Sequence, residues 1–288
     1  MDVNDAWLSA FVAFAEHRSF TRAARALHLS QPALFVQVQK LTEAVGRPLY
    51  VRHGRVLELT AWGEQVAAFG RQQAERRAAF LAELRGEAAG APVVLAAGEG
   101  AYLYLLGAAL LRFPKDRWPL RLTTAAGPEA VAAVRAGRAH VAAAALDAVP
   151  GDLVARRIAR IGQAVILPRR HRLARRRSIR PADLAGEALI VAPAGRPHRA
   201  LVAQALADVP WTVALEASGW PLMLRFAALG AGLAIVNDFC SPPRGMVAIP
   251  LAGAAAVDYH AVTARGDVHP GAARLVALLA TARGEMDG

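Results

Sequence analysis

One cysteine, Cys240, occurs in 288 residues. No disulfide can close within the chain, and a redox sensor built on two cysteines of one chain is excluded, which fits a reducing cytosol. CxxC and HExxH spacings and a Gly-rich phosphate loop of the Walker kind are all missing, so neither a metal nor a cofactor is expected. Gly98-Glu99-Gly100 follows an apolar run like a dinucleotide turn, but residue 103 is Leu where a third glycine would belong. No apolar run is long and uniform enough to cross a bilayer. The opening MDVNDAWLSAF carries two aspartates and no positive stretch, so it does not read as a secretory signal. Lysine is nearly absent as well: Lys40 and Lys115 are the only lysines among 34 basic residues.

What the chain does have is apolar residues (55%) and a modest charged share (20%), a globular composition with room for a small domain and a larger one. The formal charge of +11 points to a polyanionic partner. Its distribution weakens that inference. The first 60 residues set Arg18, Arg22, Arg25, Lys40, Arg47, Arg52 and Arg55 against five acids, whereas the dense arginine block runs from Arg156 to Arg180. That block reads as a solvated loop and helix face rather than a second nucleic-acid site. His171 and His198 lie among arginines and read as surface residues, and Cys240 sits in a Cys-Ser-Pro-Pro loop with no base beside it. No constellation for catalysis emerges, so the chain is not expected to be an enzyme.

The stretch around which the chain is organised is SFTRAARALHLSQPALFVQVQKLTEAVGRPLYVR, residues 19–52. Ser19 can cap a first short helix, and Ala23, Ala24 and Leu27 give it a small-residue face. His28-Leu29-Ser30 forms a turn with Leu29 as apolar plug. Ser30 caps a second helix, and Pro32 falls in its first turn, where a missing N–H costs little. Leu34, Val38, Leu41 and Val45 make one buried stripe. Pattern alone fits an ordinary helical hairpin equally well as a DNA-binding helix-turn-helix.

Residues 5–16 supply a preceding helix with Trp7, Leu8, Phe11, Val12 and Phe14 on its apolar face. After the helix pair, Leu49–Arg52 and Val56–Thr60 alternate like strands about a His53-Gly54-Arg55 turn, a hairpin wing. Thr60 then caps a long helix, about 61–85, whose Trp62, Val66, Phe69, Phe80 and Leu84 need a partner surface. The run from Gly86 to Pro92 breaks it. Beyond lies alternation of short apolar strands with helices, which predicts an open parallel sheet in two successive α/β sets with a ligand cleft at the carboxyl ends of their strands.

SFTRAARALHLSQPAL, LTEAVGRPLYVR and LELTAWGEQV closely resemble the DNA-binding motif of LysR-type transcriptional regulators, and LRFAALGAGLAIVNDF resembles part of their effector-binding region. The resemblance implies an N-terminal winged helix-turn-helix, mainly α, over residues 1–60 and a linker helix that pairs subunits over residues 61–86. It further implies a C-terminal two-lobed α/β domain similar to periplasmic binding proteins over residues 91–288, with lobe I at 91–149 and 264–288 and lobe II at 150–263. A dimer or tetramer acting on double-stranded DNA in the cytoplasm under the control of an unidentified small molecule follows from the same resemblance, without a membrane.

Carried over residue by residue, the resemblance places Ser30, Gln31, Pro32, Phe35, Val36, Gln37, Gln39 and Lys40 on the recognition helix, with Arg52 and Arg55 at the wing tip. Many relatives carry a small polar residue where this chain has Phe35, and a polar or basic one at Val36. An apolar pair can contact thymine methyls but forms no bidentate pair with guanine. Phe35 and Val36 also define the alternative reading: a soluble small-molecule-binding protein whose DNA-binding motif is weakened or vestigial. In the cleft, Glu99, Gly100, Ala101, Ala192, Pro193, Ser218, Gly219 and Trp220 are the expected effector contacts. Glu99 stands where relatives place a hydroxyl residue, which suggests a neutral, aromatic or cationic ligand with Trp220 as a stacking wall. Glu99 as a helix cap and Trp220 as core fit the same sequence equally well.

Overall fold

The computed structural model describes residues 4–53, 56–84, 91–266 and 269–281, apart from the side chains of 79 and 82–84. Among them the chain forms two compact units, one of residues 1–95, 114–121 and 131–140 and one of the remainder.

The first unit begins with α1 (Asp5–His17), α2 (Phe20–Ala26) and α3 (Gln31–Val45). Each start is set by a side chain that accepts an otherwise unpaired N–H in the first turn: Asn4 from Ala6 at 2.8 Å, Ser19 from Arg22 at 3.4 Å and Ser30 from Ala33 at 3.3 Å. Helix α1 ends on Arg18 and α3 on Gly46, both in the left-handed conformation. At Gly46 (φ 67°) the missing Cβ makes that conformation cheap. The stripe read from sequence is the core: Leu34, Val38 and Leu41 are fully buried with Phe11, Phe14 and Leu49, and Val45 packs at the margin. Each such side chain withdrawn from water stabilises the fold by roughly 1.5–3 kcal/mol. Phe14 stacks on Phe20 at 4.4 Å and meets Tyr50 edge-on at 5.0 Å, tying α1, α2 and the first strand together.

The hairpin comprises β1 (Tyr50–His53) and β2 (Val56–Leu59), antiparallel with Tyr50 opposite Leu59. Gly54 and Arg55, expected at its tip, lie outside the described residues. Thr60 caps α4 (Ala61–Leu84), its Oγ1 accepting from Gly63 N at 3.1 Å. Gly63, Ala67, Ala68 and Gly70 form the buried face of α4. A methyl on Gly63 would stand 1.9 Å from the Leu49 carbonyl oxygen, so this helix start tolerates only glycine. Trp62, Phe69, Phe80 and Leu81 of α4 are exposed, and the side chain of Leu84 lies outside the described residues. Farther along α4, Arg71 Nε donates to the carbonyl of Ala136 at 2.6 Å, and Glu75 pairs with His140 at 2.9 Å.

Two five-stranded sheets follow. In chain order come β3 (Val93–Ala97), α5 (Glu99–Ala101) running through a π-helical turn (Tyr102–Leu106) into α6 (Gly107–Leu111), β4 (Leu120–Thr124), α7 (Gly127–Arg135), β5 (Val141–Ala145) and β6 (Leu153–Ile161). The second set is β7 (Gln163–Pro168), β8 (Ala188–Val191), α8 (Pro197–Ala205), β9 (Thr212–Glu216), α9 (Trp220–Ala228), β10 (Leu233–Asn237) and β11 (Met246–Pro250). Strand β12 (Val257–Ala264) and α10 (Pro270–Thr281) complete the chain. The sheet orders are β4-β3-β5-β12-β6 and β11-β7-β10-β8-β9.

Three expectations are corrected. The sheets are mixed, not parallel: β12 runs antiparallel to β5 and β6, and β7 antiparallel to β10 and β11, while β8 is parallel to β9 and β10. A fully buried strand reads as an unbroken apolar run whichever way its neighbours point. Arg156, Arg157 and Arg160 are not loop residues but lie on β6, a strand that its arginines concealed. Because β6 and β12 belong to the first sheet, the crossovers expected near 150 and 263 fall instead at Gly162 and between β11 and β12, so the second lobe is shorter than 150–263.

Candidate nucleic-acid interface and ligand cleft

The first two turns of α3, begun by the Ser30 cap, bury Leu34 and turn other side chains outward. Gln31, Pro32 and Lys40 are exposed, Phe35 and Val36 keep 43% and 49% of their surface, and Gln37 and Gln39 are half-buried. Arg25 of α2 and Arg52 of β1 are exposed as well. Several are already engaged. Gln31 Oε1 accepts from the Thr21 hydroxyl at 3.0 Å, and Gln39 Nε2 donates to the Tyr50 hydroxyl at 2.9 Å. Burial raises the pKa of that phenol. The Lys40 ammonium lies 5.8 Å from the centre of the Trp7 ring. Phe35 meets Phe20 edge-on at 5.3 Å, so its ring is anchored to the aromatic core rather than loose.

In the second unit the expected cleft residues divide. Gly98 precedes the helical start, and Glu99 and Gly100 form the first turn of α5 rather than a loop. Gly100 and Ala101 are buried and Glu99 is exposed, while Ala192 is buried, Pro193 half-buried and Ser218 exposed. Helices α5 and α9 touch. Their contact is tight: a methyl on Gly100 would stand 2.1 Å from Trp220 Cδ1, and one on Gly219 (φ 90°) would stand 3.8 Å from Glu99 Oε2. Thus Glu99, Gly100, Gly219 and Trp220 come together. The Ala192 carbonyl is instead taken by Arg199 Nη1 at 3.3 Å.

Behind Trp220 lies a polar chain that the sequence did not reveal. The rings of His198 and Trp220 meet edge to face at 4.4 Å. His198 Nε2 donates to Gln163 Oε1 at 3.0 Å, Gln163 Nε2 to Asn237 Oδ1 at 3.3 Å, and Asn237 Nδ2 to the Tyr259 hydroxyl at 3.3 Å. Gln163 and Asn237 are each 3% exposed. His198, expected at the surface, is half-buried: burial of its ring pulls its pKa down to about 4, so that the imidazole is neutral at neutral pH, and its Nδ1 has no hydrogen-bond partner among the described residues. Burial likewise lifts Tyr259 to about 12 and pushes the Cys240 thiol up, so that the thiol stays protonated at neutral pH. Only the regular placement of Gln163 and Asn237 beside apolar strands could have hinted at this chain, because its members come from four separate elements.

Residues 86–284 match the LysR substrate binding domain, and residues 6–64 match the bacterial regulatory helix-turn-helix protein of the lysR family. A RuBisCO operon transcriptional regulator of Acidithiobacillus ferrooxidans is 44% identical over 77 residues, 27% of this chain and 25% of that one. The chain spans about a quarter of the length of the curated relatives it matches. Among solved structures, full-length OxyR of Pseudomonas aeruginosa superposes with a TM-score of 0.73 at 21% identity, covering 98% of this chain and 95% of the other. CbnR in complex with its target DNA gives 0.59 at 23% identity, covering 96% and 98%. At these identities the likeness establishes the fold.

Proposed function

This chain belongs to the LysR family of bacterial regulatory helix-turn-helix proteins, and from that premise we propose that it is a sequence-specific regulator of transcription, binding double-stranded DNA under the control of a small molecule. The observation that carries the reading is the exposed N-terminal half of α3, capped by Ser30 and accompanied by a hairpin, on a three-helix core. A helix so presented fits the major groove, while arginines on neighbouring elements meet phosphates that hold it in register. The exposed aromatic residues of α4 are the surface on which a second copy pairs, setting two heads on two half-sites. No helix among the described residues is long and apolar enough to cross a membrane.

The effector reading rests on Glu99, Gly100, Gly219 and Trp220. A carboxylate and an indole at one place favour a neutral, aromatic or cationic ligand over an anion, since Glu99 repels negative charge. Such a ligand has to displace Trp220 from Gly100, and only a ligand that binds the displaced state better shifts the equilibrium.

The test is a salt titration of binding to the DNA upstream of its own gene, against random DNA of equal length. Tighter binding to the upstream piece is expected, with log affinity falling against log salt at a slope of about −0.9 per phosphate contacted. Equal and weak binding to both pieces overturns the reading.

A further inference from the structure

The exposed turns of α3 contain no arginine or lysine before Lys40, and Lys40 is drawn toward Trp7. The bidentate pair that reads guanine is therefore missing from the helix's leading surface. Adenine is read by an amide that uses its carbonyl and its NH2 together. The Thr21 hydroxyl takes one lone pair of the Gln31 carbonyl and the Tyr50 hydroxyl takes one N–H of Gln39, which fixes both amides in place, and Gln37 is half-buried. What remains outward at the centre of this surface is apolar: Phe35 and Val36, each about half exposed. Both are held still. Phe35 rests edge-on against Phe20, which stacks on the fully buried Phe14, and Val36 is β-branched, with one strongly preferred rotamer in a helix. An apolar group in the major groove has one matching feature to cover, the C5-methyl of thymine.

We infer that Phe35 and Val36 each cover a thymine C5-methyl group, so that thymine methyls carry selectivity in the half-sites this protein binds. The inference rests on α3 being the helix that enters the groove. Arg25 and Arg52 are exposed toward solvent and suit the phosphates, which supply affinity without sequence information.

The experiment starts from a random duplex library, since the natural site is unidentified, and selects on the full chain until one sequence dominates. Duplexes of that sequence are then made with deoxyuridine replacing thymidine one position at a time, which deletes a methyl and nothing else. Two positions in each half-site are expected to lose about fourfold in affinity each, the effect of withdrawing one buried methyl, while other thymines tolerate the change. Val36→Ala is expected to abolish the penalty at one of them and Phe35→Leu to reduce it at the other, with unchanged circular dichroism. A dominant sequence whose affinity is indifferent to deoxyuridine at every position overturns this inference alone. Failure of any sequence to emerge overturns it together with the DNA-binding reading.

Discussion

Gly100→Ala is a sharp test of the contact between α5 and α9. Gly100 lies in the first turn of a helix, where alanine is ordinarily preferred by about 1 kcal/mol. The added methyl would nevertheless stand 2.1 Å from Trp220 Cδ1, 3.0 Å from Cγ and 3.1 Å from Nε1. Restoring an ordinary carbon–carbon contact of about 3.5 Å requires the indole to retreat by roughly 1.4 Å. Trp220 is half-buried and braced by His198 at 4.4 Å, so the retreat strains a packed neighbour. Overpacking of this kind costs about 1–3 kcal/mol and outweighs the propensity gain. In a Trp220→Ala background the obstruction is gone, and the same Gly100→Ala change is expected to be neutral or stabilising, by up to about 1 kcal/mol. The assay is urea unfolding of the four proteins of this cycle, with the Trp220 contribution to emission isolated by comparison with Trp220→Phe. Destabilisation by Gly100→Ala that is equal in both backgrounds would refute the reasoning, because the cost would then arise elsewhere than at the indole.

Other outcomes follow from the same geometry. Unfolded, His198 titrates near its ordinary 6.5, whereas folded it accepts a proton only at about pH 4. The unfolded chain therefore binds more protons between these values, so stability is full above pH 6.5 and falls by up to about 3 kcal/mol on descent to pH 4. His198→Gln should flatten that part of the urea-midpoint profile, and an unchanged profile would sink the assignment. Gly63→Ala drives a methyl to 1.9 Å from a backbone oxygen that cannot step aside, and should cost about 3 kcal/mol or more in thermal unfolding of the helix-turn-helix unit. An unaltered Tm contradicts the contact. Phe69→Glu with Phe80→Glu places charge on the exposed face of α4 and is expected to halve the mass seen in sedimentation relative to the parent; an unchanged mass means that pairing uses another surface.

The sequence by itself determined what is local. Ser19, Ser30 and Thr60 announce their helices because each cap and the N–H it accepts are three residues apart. Leu34, Val38 and Leu41 announce the core face because helical periodicity repeats within one turn. The hairpin, the long helix and the change to an α/β texture follow from the same short-range signals, and so does the position of Phe35 and Val36 on the outer side of α3. Tertiary structure decided the rest. Whether β7 runs with or against β10 depends on the route of the chain, since buried strands look alike in either direction. Strand β6 owes its place to pairing with β12, against the impression its arginines make. The likeness to a surface loop was equally misleading at His198, whose burial is created by Gln163 and Trp220 from other elements. The seating of Trp220 on Gly100 depends on a contact between two helices far apart in the chain, and a pattern read along a single segment carries no trace of such a partner.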